Sequence, residues 1–277
     1  MASMPRVMVL AVVTVAGAMP AWCQSNVPMR VTDPTALASR TGAVVASPTC
    51  PQQGPVSYPT NERAWHRLGL RLHGPLAAAL GSAALSVELL ESRLGPTHCR
   101  FCDTNLNRMD AEAAHLKWSF PGSANALSAF TAYGLVPALS LGFLALDGSR
   151  KGGGRRVAQD TLIVVEAVAA SALIVWGVKC LVARPRPDAA DHPGDRDSFV
   201  SFPSGHTAFA WSLAVASGTL ATLRQYPHRW HVWALGLTFA ALTGYLRVAA
   251  FRHYPSDVMA GAAMGAAVGA GVAWVMH

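Results

Sequence analysis

Five apolar runs of near membrane-spanning length occupy residues 123–146, 157–183, 206–223, 230–251 and 258–276 of this chain. An apolar helix of about 20 residues crosses the hydrocarbon of a bilayer, and only helices or closed barrels satisfy their backbone polar groups there. The pattern predicts an all-α polytopic helical bundle with five strong spans. A sixth helix over 65–91, whose charge-free part covers only residues 74–87, is predicted to be weak or interfacial. The 277 residues are 52% hydrophobic and only 13% charged, with a mean hydropathy of +0.29. That balance excludes an ordinary soluble domain. In the last run, Ala260, Gly261, Gly265, Gly269 and Gly271 are predicted to let helices approach closely.

Residues 1–23 read as a signal peptide or N-terminal anchor: Arg6 precedes an apolar stretch over 7–18, and small residues around Ala16, Ala18, Ala21 and Cys23 offer cleavage points. Residues 24–64 are rich in Pro, Ser, Thr and Gly and are expected to form a loosely ordered extramembrane segment. Residues 65–277 then form the membrane domain. The formal net charge is +7. Its cations crowd into short links, with Arg150, Lys151, Arg155 and Arg156 in one and Arg224 and Arg229 in another, which places both links in the cytoplasm. No basic stretch interleaved with aromatic residues suggests a nucleic-acid partner. Five spans suit an external N-terminus left by a cleaved signal, so a cleaved signal and a full span over 65–91 compete.

Cys99 and Cys102 fall in the segment assigned to the outside, where they are expected as a structural disulfide or as two thiols. Zinc would need a second pair of ligands, and the sequence has none at suitable spacing. Cys50 is an alternative partner for either, and Cys180 is expected in the core.

Three polar islands interrupt the apolar background between Lys179 and Asp257. The first is Lys179 with Arg186-Pro187; the second is Pro203-Ser204-Gly205-His206; the third is Arg247, His253 and Asp257. Taken singly, each has a structural explanation: snorkelling cations, a helix start, an accidental His four before an Asp. All three fall at the same membrane face, opposite the cytoplasmic links, and jointly they suit phosphate. Ser204 is predicted to cap the helix that follows, and Gly205 to let its N–H groups approach an anion. His206, in the first turn, can protonate a departing oxygen. Pro255 suits the first turn of a helix, so Asp257 is predicted to accept a hydrogen bond from His253 and to aim its other nitrogen at phosphorus. Lys179, Arg186 and Arg247 can neutralise phosphoryl oxygens.

These residues resemble the three-part signature of the type 2 phosphatidic acid phosphatase (PAP2) superfamily, in its membrane-bound bacterial lipid-phosphatase-like branch. The resemblance implies a PAP2-like core over the membrane domain, with His253 forming a phosphohistidine and His206 acting as general acid before activating water. Asp257 would orient His253, while Lys179, Arg186, Ser204, Gly205 and Arg247 cradle phosphate. It implies no metal and no other cofactor. One departure stands out: Leu246 replaces the small residue the family often carries before the third arginine, and the expected effect is on packing behind the site.

The expected activity is hydrolysis of a lipid-linked phosphomonoester or diphosphate at the periplasmic face of the inner membrane, with the bilayer itself as the other partner. Phosphatidic acid, an isoprenyl diphosphate and a lipid A phosphate all suit a site at headgroup level. A lipid phosphotransferase with the same phosphohistidine, a non-catalytic phosphate-binding membrane protein, and a vanadate-loaded haloperoxidase are the alternatives. The other histidines, among them His228 and His231, lack a carboxylate at matching spacing and are not assigned to catalysis. Asp188, Asp191, Asp195 and Asp197 are expected to form a solvated loop that tunes access. Asp160 and Glu166 fall inside an apolar run without an evident partner.

Overall fold

Every regular element among the described residues is helical. The computed structural model describes residues 62–100, 106–111, 113–192 and 194–277, which all lie within the unit Ser57–His277. The expected signal peptide or anchor, nearly all of the segment 24–64, Cys50 and Cys102 lie outside the described residues. Helix α1 covers Glu62–Leu94, and two single turns follow, α2 (Arg108–Ala111) and α3 (Ala113–Leu116). Helix α4 (Pro121–Phe130) passes through a π-helical turn, Thr131–Leu135, into α5 (Val136–Val182). Two 3-10 turns lead on to α6 (Gly205–Leu223), α7 (Arg229–Ala249) and α8 (Pro255–Met276).

The all-α class holds, but the count of five strong spans and one weak one does not. Among the described residues, three helical stretches are long and apolar enough to cross a membrane: Pro121–Val182, Arg229–Ala249 and Pro255–Met276. Two physical reasons account for the difference. The expected spans 123–146 and 157–183 are limbs of one helical stretch, whose backbone leaves helical values at Gly153 (φ 67°, ψ −165°). There the chain turns back on itself: a Cβ built on Gly148 would lie 3.4 Å from Val157 Cγ2, whereas nine residues of straight helix span about 13 Å. The expected span 206–223 is too polar to qualify. Its Thr207, Ser212 and Ser217 are buried in the bundle, with Ser212 Oγ donating to the Ala167 carbonyl at 3.2 Å. In α1 only Gly74–Val87 is apolar, short of a span.

Helix α6 is the centre of the bundle and packs against α5, α7 and α8. Its seam with α8 depends on glycine. A Cβ on Gly265 would come within 2.3 Å of the Ala208 carbonyl oxygen, and one on Gly269 within 2.5 Å of that of Ser212. Gly261 meets the Ser204 carbonyl in the same way, so a stripe spaced by four lets two backbones touch. Gly271, on another face, has nothing near it.

The bundle has two chemically distinct ends. At one, the turn of α5 meets the α6–α7 link: Lys151 Nζ donates to the Gln225 carbonyl at 2.7 Å, and the Tyr226 hydroxyl donates to Asp160. Arg224 Nε lies 3.3 Å from Asp160 Oδ1, which accounts for this buried carboxylate. His228 also meets a carboxylate here, with Nδ1 2.7 Å from Asp147 Oδ1. At the other end lie the C-termini of α5 and α7 and the N-termini of α6 and α8, which carry the three polar islands.

Candidate active site

Lys179 is on the last turn of α5. That helix stops at Ala183, which adopts a left-handed conformation (φ 47°) with its N–H bonded to the Lys179 carbonyl at 2.8 Å. The run Arg184-Pro185-Arg186-Pro187 cannot continue a helix, because each proline lacks an N–H and restricts the residue before it. Instead it pairs with the returning chain: Arg186 N–H donates to Ser198 O at 2.8 Å, and Ser201 N–H to Arg184 O at 3.0 Å. The Ser204 N–H then donates to the Asp257 carbonyl at 3.0 Å, which ties the start of α6 to the start of α8.

His253 lies between α7 and α8 with only 1% of its surface exposed. Its Nδ1 is 2.7 Å from the Ser201 carbonyl oxygen. A carbonyl can only accept, so Nδ1 carries the proton and Nε2 has the lone pair when the ring is neutral. Burial, together with the positive charges of Arg247, Arg186 and Lys179, holds this imidazole well below its ordinary pKa and keeps it neutral. Asp257 Oδ2 stands 3.8 Å from Nδ1, beyond hydrogen-bonding reach. The carboxylate instead accepts from Ser201 Oγ (2.6 Å), the Tyr254 N–H (2.9 Å) and Arg184 Nη1 (2.7 Å). Ser201 therefore connects the two residues that the sequence pairs directly.

The three cations converge on the same place. Arg247 Nη1 donates to Asn125 Oδ1 and, at 3.4 Å, to Ser128 Oγ, while its buried Nε has no acceptor. Arg186 donates through Nε and Nη2 to the carbonyl and carboxylate of Asp197, at 2.7 and 2.6 Å, and its buried Nη1 has no acceptor. A buried donor without a partner costs about 1–3 kcal/mol. Two such donors on neighbouring guanidinium groups suit an oxyanion. Lys179 pairs with Glu91 of α1, and its Nζ lies 3.5 Å from the position a Cβ would take on Gly205.

His206 occupies the first turn of α6, its ring 4.9 Å from that of Tyr133. Burial acts on His206 first, and then the charges of Arg247, Lys179 and Arg186 together with the neighbouring His253 ring. The structure thus brings Lys179, Arg186, Gly205, His206, Arg247 and His253 into one neighbourhood. Ser204 and Asp257 are fully buried behind it. Ser204 precedes α6 as expected, but its hydroxyl pairs with Thr207 Oγ1 at 2.9 Å and makes no capping bond. The first N–H groups of α6 lack intrahelical acceptors, and the positive end of the helix faces this place.

Part of the acidic loop differs from the solvated face expected of it. Arg252 binds Asp188 at 2.8 Å and also pairs with Asp197. Although burial opposes it, the charges of Arg186 and Arg252 hold the Asp197 carboxyl below its usual range. Asp191 and Asp195 are exposed, as expected of a loop. Leu246 is buried with Ala124, Ala249 and Ala250, where it fills space behind the site. Cys99 is disulfide-bonded, and Cys180 is a free, partly buried thiol. Among the described residues, no group of three or more His, Cys, Asp or Glu side chains is arranged to hold a metal.

Sequence reasoning missed Glu91, Asp110, Asn125, Tyr133, Arg184 and Ser201. The Arg-Pro-Arg-Pro run was a usable signal for Arg184, since it presents two cations from one extended segment. The others come from distant parts of the chain and carry no local mark.

Residues 160–277 match the model of the PAP2 superfamily. The chain is also 34% identical over 143 residues, 51% of its length, to the Lipid A 1-phosphatase of Porphyromonas gingivalis. The matched part spans 28% of that relative's length. Over residues 160–277 the chain is thus similar to the PAP2 superfamily, it is related at moderate identity to a bacterial lipid A phosphatase, and three of its described helical stretches are long and apolar enough to cross a membrane.

Proposed function

We propose that this protein is a metal-independent phosphatase that hydrolyses a lipid-linked phosphomonoester or diphosphate through a phosphohistidine on His253. The observation that carries the reading is the buried imidazole of His253, held at Nδ1 by a backbone carbonyl. Its Nδ1 is occupied by the Ser201 carbonyl, and its Nε2 lone pair is free to attack beside three cations. Nε2 attacks phosphorus and the bond to the leaving oxygen breaks, with His206, protonated once the bound phosphate anion offsets the surrounding cations, giving that oxygen a proton. His206 then takes a proton from water, whose oxygen attacks phosphorus; the N–P bond breaks and inorganic phosphate departs. Arg186 Nη1 and Arg247 Nε supply hydrogen bonds to the phosphoryl oxygens as charge shifts between them, with Lys179 adding its charge.

The positive-inside rule supports a periplasmic site at the inner membrane. The cations Arg150, Lys151, Arg155, Arg156, Arg224 and Arg229 mark the end of the bundle opposite the histidines. A site at the mouth of such a bundle suits a phosphate at headgroup level. The name of the Porphyromonas gingivalis relative adds weight to a lipid A phosphate as one candidate.

The test is phosphate release from detergent micelles containing lipid A, phosphatidic acid or an isoprenyl diphosphate. The wild-type protein is expected to release phosphate from at least one, and His253→Ala from none. Equal release by both proteins, or none from any substrate, overturns the reading. An acceptor alcohol in the same assay separates hydrolysis from transfer, since transfer yields a new phosphoester in place of inorganic phosphate.

A further inference from the structure

Arg184, outside the three islands, grips the start of α8 from two sides. Nη1 donates to Asp257 Oδ1 at 2.7 Å and to Ser256 Oγ at 2.8 Å, and Nη2 donates to Asp110 Oδ2 at 2.8 Å. Asp110, only 1% exposed on the single turn α2, holds the same place through other atoms. Its Oδ1 accepts the Ser256 N–H (2.9 Å), and its Oδ2 accepts the Ser256 hydroxyl (2.7 Å) and the Asn107 side-chain amide (2.8 Å). The Arg184 guanidinium also lies 4.3 Å from the centre of the Tyr254 ring. A planar fork that binds two carboxylates at once fixes direction as well as distance, which a lysine ammonium does not.

These contacts form a continuous chain to the nucleophile: Asp110 to Arg184, Arg184 to Asp257, Asp257 to the Ser201 hydroxyl, and the Ser201 carbonyl to His253 Nδ1. Without Arg184, Asp257 would be a buried carboxylate with no cation, and relaxation of that strain would move Ser201 first. We propose that Arg184, held by Asp110, is a positioning residue of this site: the clamp keeps the Ser201 carbonyl on His253 Nδ1 and so aims Nε2 at phosphorus. The proposal rests on the phosphohistidine reading. It also gives the turn at Asp110, which lies before the part matching the PAP2 model, a share in aligning the nucleophile.

The experiment compares wild-type protein with Arg184→Ala, Arg184→Lys and Asp110→Asn, using phosphate release from phosphatidic acid in detergent micelles. In Arg184→Ala, kcat is expected to fall roughly 100-fold with KM moving by less than about twofold, because a misplacement on the order of 1 Å costs that much. Added guanidinium is expected to restore much of the lost kcat, and equal sodium chloride is not. In Arg184→Lys and Asp110→Asn, kcat is expected to fall about tenfold with KM unmoved. The proton resonance of the His253 Nδ1–H, identified by its absence from His253→Ala, is expected to shift in all three variants. Wild-type kcat in the variants, a change confined to KM, or an unmoved resonance each overturns the proposal. If Arg184→Ala does not fold, the two milder variants decide. If the wild-type protein releases no phosphate from this lipid, the phosphatase reading fails for that substrate, and the resonance still judges the clamp.

Discussion

His253 Nδ1 and the Ser201 carbonyl oxygen are 2.7 Å apart, and this contact decides the chemistry open to the imidazole. A backbone carbonyl cannot donate, so the tautomer is set by main chain and not by a titrating partner. Asp257, 3.8 Å from the same nitrogen, acts on the ring through Ser201.

Acidification tests the state of this ring. Burial and then the charge of Arg247 hold the imidazole well below the ordinary value of 6.5. The unfolded chain therefore binds a proton near pH 6.5 that the native protein does not take until a lower pH. The stability contributed by a neutral His253 is full above pH 6.5 and is lost as pH falls toward the depressed value. Thermal unfolding in detergent is expected to shift downward below pH 6.5, less so in His253→Ala. Formation of phosphoenzyme, followed in a single turnover, is expected to continue through pH 6.5 without an inflection from this group.

Asp257→Asn separates support from chemistry. The amide loses the ion pair with Arg184 in a buried setting, a change worth about 3 kcal/mol in stability. The asparagine keeps an oxygen that can accept from Ser201 Oγ, so the Ser201 carbonyl keeps part of its hold on His253 Nδ1; turnover is expected to drop and yet stay measurable, whereas His253→Ala leaves none. Denaturation midpoints and phosphate release, measured on the same preparations, check both halves.

The glycine seam between α6 and α8 is sensitive to a single methyl group. Gly265→Ala would push a Cβ to within 2.3 Å of the Ala208 carbonyl oxygen, whereas Gly271→Ala meets nothing within 4 Å. The first is expected to lower stability by about 1–3 kcal/mol and the second to leave it within about 0.5 kcal/mol. Unfolding temperature in detergent distinguishes them. Because α6 carries His206 and α8 carries Asp257, the first variant is also expected to lose phosphate release.

Glu91 shares the charge of Lys179 before any phosphate arrives. Its replacement by glutamine is expected to leave Lys179 freer to bind an oxyanion, by roughly 1 kcal/mol or about fivefold in affinity. Inorganic phosphate as a product inhibitor gives the measurement, with a lower inhibition constant expected in Glu91→Gln. An unchanged constant would mean that Glu91 and the anion do not compete for the ammonium.

The all-helical class, the apolar stretches and the three polar islands could be read without coordinates, because they are local: periodic hydrophobicity, proline at a helix start, small residues spaced by four. The number of membrane-length helices could not. Whether Thr207, Ser212 and Ser217 of α6 face lipid or protein depends on what packs around them, and the reversal at Gly153 depends on one residue's backbone conformation. The same limit applies at the site. The residue types at 179, 186, 206, 247 and 253 carry, through their joint spacing, the resemblance on which the proposed phosphate chemistry rests. That the Ser201 carbonyl orients His253, that Arg184 joins Asp110 to Asp257, and that Glu91 meets Lys179 were decided by folding alone. Hydrogen bonds between residues 50 to 90 positions apart leave no periodic trace in a chain; they exist only once helix packing has brought their atoms within 3 Å.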